Sequence, residues 1–320
     1  MSHIKLPVVI TPSRVDGGLR CHRKHVLSDI LGRAQYWSPS LEFGSVIHAG
    51  VNSHWLGTKF PGQEPWEKVI AKEWHERFVL KPDISQKNVS VDMANAMMDH
   101  YTKNATLAGP FTERGGYKLV DCEQRFEVPI PLDGDNRAIV SFQCDRIVFN
   151  EEENHLVIVD TKTASRLDAR WEKQWDLSIQ MKLYKLMAME VFGVEKTDVV
   201  IEGVLKHVPS EIRYYTCPDW SKLQLAEALF QARTIAIKDE NILVKGMAYN
   251  VMDPSERTPV LNSKEAIEEI AVKYTMPNYG ECFAFNIECP FRQICVADVP
   301  ERVGLLRSEY FELPESEENY

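Results

Sequence analysis

The sequence predicts a mixed α/β fold, with a β-sheet core flanked by helices. Three observations carry this. The first third of the chain spaces its apolar residues by three and four, the helical period. Beyond it the period shortens to two and β-branched residues accumulate. A further helical stretch then separates two groups of strand-like segments, which is the order of a mixed sheet with attached helices.

The elements follow in order. Segments 24–37 (KHVLSDILGRAQYW), 44–57 (GSVIHAGVNSHWLG), 65–80 (PWEKVIAKEWHERFVL) and 91–105 (VDMANAMMDHYTKNA) read as helices. Segment 117–130 alternates, and 137–149 and 155–163 are rich in β-branched residues, so all three read as strands. A helix is expected over 175–193, its apolar stripe formed by Leu177, Met181, Tyr184, Ala188 and Val191. Strands at 198–207 and 211–217 and a long helix at 221–246 come next, and the C-terminal part reads as irregular. No repeat or low-complexity linker interrupts the chain. One domain over 1–320 is expected: a mainly helical part (1–115), an α/β core (116–250), a C-terminal part (251–311) and an acidic tail (312–320).

Composition narrows the class. A chain of 320 residues, 44% hydrophobic and 26% charged, is that of an ordinary globular protein. No apolar run approaches the ~18–20 residues of a transmembrane helix. The opening MSHIKLPVVITPSR is too short in apolar residues for a secretory signal, so a cytoplasmic location and no membrane partner are expected. A net charge of −10 argues against coating nucleic acid through bulk charge. It is compatible with a nuclease, whose groove alone must be positive and whose metal ions bring charge of their own.

The seven cysteines are an odd number without an export signal, which argues against a disulfide framework. Cys122, Cys144 and Cys217 fall in strand segments and read as core thiols. Three others crowd into CFAFNIECPFRQIC at C-x6-C-x5-C spacing, while Cys21 stands far away in the N-terminal part. The paired C-x2-C knuckles of a zinc site do not occur among these four.

The stretch HLVIVDTKTA (155–164) ends a buried-looking strand in charge. Residues two apart on a strand share a face, so Asp160 and Lys162 project together. The preceding strand carries Asp145, and if the NEEEN connection turns about Glu152 and Glu153, Asp145 lies opposite Asp160. Directly opposed residues have Cβ atoms about 4.5–5.5 Å apart. Carboxylates that close repel unless a positive group sits between them. A hard divalent ion, Mg2+ or Mn2+, suits such oxygen donors. Lys162 beside it would orient a water or neutralise charge on a phosphate. The competing reading is a surface salt bridge with an unrelated acid one strand over. Glu123 could join the metal site from the strand before, but its alternation with Arg125 and Glu127 against Cys122 and Phe126 favours a solvated face. Gln180 and Tyr184, at i and i+4, share a helix face. Tyr184 is then either a core residue with Gln180 at its margin, or both polar groups reach substrate or the lysine. Arg166, Arg170 and Lys173, interleaved with Trp171 and Trp175, would grip phosphates and stack an unpaired base, or form a solvated loop over buried aromatics.

A strand with Asp, a hairpin, a strand with D-x-K and a helix with Q-x-x-x-Y together resemble the PD-(D/E)XK nucleases, in particular the RecB-like branch. That branch also has a histidine in a small-residue segment of an early helix, which GSVIHAG supplies as His48. The resemblance spans Cys21 to Cys295 and implies a restriction-endonuclease-like core. It implies that His48, Asp145 and Asp160 ligate the metal with the backbone carbonyl of Thr161, that Lys162 is catalytic, and that Gln180 and Tyr184 complete the site. Family members often carry glycine three residues before the hairpin aspartate, where this chain has Phe142.

Iron–sulfur members of that branch, among them Cas4-like CRISPR exonucleases, the AddB subunit and many phage nucleases, use one N-terminal and three C-terminal cysteines. By that resemblance Cys21, Cys282, Cys289 and Cys295 hold a [4Fe–4S] cluster. The cluster would staple roughly 260 residues of chain as a structural clamp without redox chemistry. The implied protein is a metal-dependent DNA exonuclease acting on single strands or DNA ends, in the host cytoplasm if phage-encoded, with its oligomeric state open. The alternatives are a non-catalytic member that binds DNA ends or a protein partner in a recombination or CRISPR-adaptation complex, and a zinc-stabilised structural module.

Overall fold

The computed structural model describes residues 8–34, 39–79, 89–132, 136–249, 263–282 and 288–312. Strand β1 (Val8–Ile10) precedes helices α1 (Pro12–Arg20) and α2 (His22–His25), the latter continuing as a π turn over Val26–Ile30. Strand β2 (Arg33–Ala34) leads to helices α3 (Pro39–Lys59), α4 (Trp66–Trp74) and α5 (Val91–Asn104). Strands β3 (Lys118–Pro131), β4 (Arg137–Asn150) and β5 (His155–Ala164) come next, then helices α6 (Ala169–Lys173) and α7 (Ile179–Phe192). Strands β6 (Lys196–Leu205) and β7 (Ile212–Thr216) precede α8 (Lys222–Tyr249), α9 (Ser263–Tyr274), α10 (Arg292–Val296), α11 (Val299–Glu309) and β8 (Phe311–Glu312). The fold is mixed α/β, a β-sheet core flanked by helices.

The chain divides into two compact units. One comprises Ser38–Val128 and Phe142–Leu225. In it β4 and β5 form an antiparallel hairpin in the register Arg146↔Val159 to Asn150↔His155, closed by Glu151–Asn154. Strand β5 runs parallel to β6 from His155↔Lys196 to Ala164↔Leu205, and the crossover this demands is supplied by α6 and α7. Strand β7 closes antiparallel on β6, and β3 pairs with β4. Flanked on both sides, β5 is an unbroken buried run from His155 to Thr161. On one face Val148, Val157, Val159, Val200 and Val204 pack with Phe43, Ile47 and Trp55 of α3 and Met97 and Tyr101 of α5.

The other unit comprises Met1–Trp37, Pro129–Ser141 and Ala226–Tyr320, so it is built from both ends of the chain. Here β1 pairs in parallel with the start of β4, Val8↔Ala138 to Ile10↔Val140. Its core joins Val26, Leu27 and Leu31 to Ile270, Phe291, Ile294 and Leu306. Strands β2 and β8 pair antiparallel at Arg33↔Glu312. Among the described residues no helix is long and apolar enough to cross a membrane.

Four expectations need correction. The helix expected over 24–37 ends at Ile30, because Gly32 turns the backbone left-handed (φ 59°) into β2. Helix α1 was hidden by its Gly17–Gly18 pair, although Thr11 caps it and Pro12 opens it in the usual way. The C-terminal part is not irregular throughout: α9, α10 and α11 lie in it. Helix α7 starts only at Ile179 on the Ser178 cap, which leaves Leu177 outside the helix and 75% exposed; Val191 is also exposed, so neither belongs to the apolar stripe. Most of the acidic tail and residues 283–287 of the cysteine segment lie outside the described residues.

In the terminal unit His25 is buried between Asp29 and Asp239, each 2.8 Å from a ring nitrogen. Burial disfavours the imidazolium, but the two carboxylates outweigh it and raise the pKa from 6.5 to about 9. A raised histidine pKa contributes stability that is fully present below 6.5 and lost as pH rises through the folded value. We expect the stability margin of the native protein over His25→Asn to shrink by on the order of 3 kcal/mol as urea denaturation is moved from about pH 6.5 to about pH 9.

Candidate active site

The paired ladder of β4 and β5 extends to Arg146↔Val159. Continued by one step, the same register sets Asp145 against Asp160. At that point the Thr161 N–H donates to Asp145 Oδ2 at 2.5 Å. His48 of α3 approaches the same oxygen, with Nδ1 at 3.5 Å. Lys162 turns back along its strand and places Nζ 3.0 Å from Asp160 Oδ1 and 2.8 Å from Oδ2. His48, Asp145, Asp160, Thr161 and Lys162 are therefore gathered at one end of the hairpin.

Charge decides their states. Burial works against ionising Asp145, but His48, Lys162 and the Thr161 amide outweigh it, and its pKa falls below the ordinary carboxylate value. Asp160 goes the other way: burial and then Asp145 raise its pKa, against the pull of Lys162. Burial opposes the charge on Lys162, yet Asp160 and Asp145 hold the ammonium form. His48 is raised likewise by Asp145 in spite of its burial.

Helix α7 supplies the next layer. Gln180 Nε2 donates to the Tyr184 hydroxyl at 3.1 Å, so the pair is bonded internally, not to Lys162. Tyr184 is buried and tilted against Phe142, with ring centroids 6.1 Å apart. Burial, then Asp160, pushes its pKa well above the usual phenol value, so it stays protonated. Phe142, where the family often has glycine, is thus a core residue that also stacks on Phe126.

Glu123 was misread as part of a solvated face. Its carboxylate is partly buried and accepts from Asn52 Nδ2 and Gln143 Nε2. Burial first, then Asp145, raises its pKa, while His48 lowers it. The alternation failed because Glu123 has a left-handed backbone (φ 55°), which breaks the two-residue period of β3. No sequence signal marks that bend.

Do these residues suit a divalent ion? Asp160 Oδ2 is buried and receives no hydrogen bond, facing Lys162 only as an ion pair. The two carboxylates, of Asp145 and Asp160, are oxygen donors of the kind hard ions take, with the His48 imidazole beside them. Among the described residues, however, no group of three or more His, Cys, Asp or Glu side chains is placed to hold a metal ion.

The second predicted constellation lies in the terminal unit. Cys21, Cys282, Cys289 and Cys295 are all free thiols. The Asn278 N–H donates to Cys21 Sγ at 3.4 Å, and the Cys289 N–H donates to the Cys282 carbonyl at 2.7 Å. Burial raises the Cys282 thiol pKa, and Cys295 and Cys21 add to the rise, so these thiols are electrostatic neighbours. Cys122, Cys144 and Cys217 are buried in the sheet unit.

Past β5, Arg166, Arg170 and Lys173 are exposed. Trp171 is only 7% exposed and packs under the loop, so it is not offered for base stacking; Trp175 is half-buried and meets it edge-on at 6.0 Å. Asp168 caps α6, accepting from the N–H groups of Arg170 and Trp171.

Residues 9–296 match the PD-(D/E)XK nuclease superfamily, and the chain belongs to it. No curated protein matches the chain. Among solved structures it is similar to a "Putative exonuclease" from Eubacterium rectale, at 14% identity and a TM-score of 0.45, covering 73% of this chain and 81% of that one. It is also similar to the protein SSO0001, at 12% identity and a TM-score of 0.32, covering 80% of this chain and 91% of that one. Superfamily membership supports a nuclease-type enzymatic function.

Gly203 of β6 lets Trp171 lie against the sheet. A Cβ there would fall 2.5 Å from Leu167 Cδ2 and 2.6 Å from the Trp171 ring. Gly203→Ala is expected to destabilise the protein by about 1–3 kcal/mol and to shift tryptophan fluorescence. Equal urea midpoints for variant and native protein would show that the loop yields without cost.

Proposed function

We propose that the chain is a Mg2+- or Mn2+-dependent deoxyribonuclease of the RecB-like, Cas4-like iron–sulfur branch, an exonuclease acting on single strands or DNA ends. Both compact units belong to one nuclease domain over 1–320, working in the cytoplasm, or the host cytoplasm if phage-encoded. The observation that carries this reading is the buried, unsatisfied Asp160 Oδ2 held between Asp145 and Lys162 at the end of β5.

Asp145 and Asp160, with His48 and the Thr161 carbonyl, are the residues that would hold the ion. When bound, the ion supplies an activated water and neutralises charge on the scissile phosphate. Asp145 is kept ionised and oriented by the Thr161 amide and His48. Lys162 keeps its proton and offers positive charge where the phosphate gains negative charge. Tyr184, held neutral by burial, presents a hydroxyl oriented by Gln180. The exposed Arg166, Arg170 and Lys173 grip backbone phosphates, with Trp175 available for a base and Trp171 supporting the loop from beneath.

Cys21, Cys282, Cys289 and Cys295 are the ligands of a structural [4Fe–4S] cluster in this reading. Its support is that all four thiols are free and lie in one unit, that Cys295 and Cys21 act on Cys282, and that Cys282 and Cys295 act on Cys289.

Asp160→Ala and Lys162→Ala should each abolish Mn2+-dependent degradation of end-labelled DNA while leaving the melting curve cooperative. Native activity in excess EDTA would refute the metal-dependent reading. A folded native protein that retards DNA ends without cutting them would be the binding member instead. Purified protein should be brown, absorb near ~400 nm and contain iron. Stoichiometric zinc without iron would overturn the cluster assignment.

A further inference from the structure

Behind the site, on the opposite face of β5, a charged group is sealed in the valine-rich core. Arg146 and Glu202 have no exposed side-chain surface, and Arg146 Nη2 lies 2.8 Å from Glu202 Oε1. Tyr101 donates its hydroxyl across both Glu202 oxygens at 3.0 and 2.9 Å. That hydroxyl accepts from Arg146 Nη1 at 3.0 Å and from Trp55 Nε1 at 2.7 Å. Glu202 takes one more donor, the Thr161 hydroxyl, at 2.9 Å.

General physics gives no reason to keep such a group for stability. A buried ion pair replaced by well-packed apolar residues usually leaves a protein as stable or more so. Valines 148, 157, 159, 200 and 204 already fill the surrounding core. What the group does possess is direction. Its outward bond ends on Thr161, which stands between Asp160 and Lys162 and opposite Glu202 in the β5–β6 register. Successive strand residues point to opposite faces, so anchoring the Thr161 side chain fixes the orientation of the residues on either side. The same peptide unit directs its N–H at Asp145. A hydrogen bond to a carboxylate is the stronger and more directional kind.

We infer that Tyr101, Arg146 and Glu202 are positioning residues, which act through the Thr161 hydroxyl to hold the Asp160–Lys162 stretch and the Asp145 carboxylate in register. This rests on the nuclease reading above. None of the three touches substrate; each acts through Thr161.

The test uses the full-length protein. Thr161→Val removes the hydroxyl while keeping the β-branched shape, and Thr161→Ser restores the hydroxyl. Two readouts are taken: kcat and KM on end-labelled DNA with Mn2+, and Mn2+ affinity by calorimetry without DNA. We expect Thr161→Val to lose about 10–100-fold in kcat and in Mn2+ affinity, the scale on which outer-shell partners act, with KM little changed. Thr161→Ser should behave as native. Tyr101→Phe, remote from the site, should show the same loss in both readouts. Native kcat and Mn2+ affinity in Thr161→Val, or a Thr161→Ser as impaired as Thr161→Val, would overturn the inference. If Thr161→Val does not fold, Tyr101→Phe decides by the same two measurements. A native protein that cuts no DNA would sink the nuclease reading alone, since the Mn2+ titrations still compare the variants.

Discussion

Two carboxylates on neighbouring strands of a buried hairpin cannot both carry charge without positive groups held against them, and the sheet unit is arranged around that constraint. Asp145 is answered by His48 and the Thr161 amide, Asp160 by Lys162. The answer is unequal. Asp145 ends below its ordinary pKa, because His48 first, then Lys162 and the Thr161 amide, outweigh its burial, and Asp160 ends above it, because burial and the neighbouring Asp145 outweigh Lys162. Environments that push two acids apart are what allow one constellation to hold two roles. The residue with the unmet oxygen is also the one beside the lysine, so the demand for a further cation and the means to handle an anion meet at one point.

The rest of the unit follows from keeping that point rigid. Strand β5 is flanked by β4 and β6, so its backbone is held from both sides before any side chain contributes. Alternation then separates two tasks. One face presents Asp160 and Lys162, and the other sinks Thr161 into the core. A site at the end of a central strand inherits the stiffness of the sheet, which a loop would not provide. The segment after β5 sets exposed basic side chains around the buried Trp171. Arg166, Arg170 and Lys173 stand there among Asp168, Glu172 and Asp176, so positive charge is offered at single side chains and not as a net field.

What was legible in the sequence was whatever local chemistry encodes. The NEEEN turn and the β-branched runs on either side define the hairpin register, and with it the approach of Asp145 to Asp160. Ser178 and Gly193 bracket α7 as cap and left-handed stop. Glu123 was lost because a single left-handed residue reverses the alternation of β3, and nothing local announces it. The partners of Glu123, Asn52 and Gln143, come from α3 and β4 and belong to tertiary structure alone. Arg146 and Glu202 were invisible for the same reason: in sequence each is a charge among apolar strand residues, and only the β5–β6 register and the packing of α5 reveal the company they keep. Helix α1 drew no expectation from the sequence, although Thr11 and Pro12 supply its cap and first turn. Gly18 lets α1 pack closely, since a Cβ would sit 3.0 Å from Ile235 Cδ1.

The terminal unit brings both ends of the chain together through its apolar core. Cys21 is separated from the other three by most of the chain, and closing so long a loop costs entropy that grows only slowly with length. Here the closure does not depend on sulfur. Val26, Leu27 and Leu31, just beyond Cys21, pack against Ile270, Phe291 and Ile294, which flank the C-terminal cysteines. Arg23 reinforces the join by donating to the Thr275 hydroxyl at 3.2 Å and the Thr275 carbonyl at 2.5 Å. The apolar core brings the two ends of the chain together, so the closure stands with all four thiols free. A cofactor bound there would tighten an existing closure, so loss of one thiolate would loosen this unit before it disrupted the sheet, whose core is built from different residues.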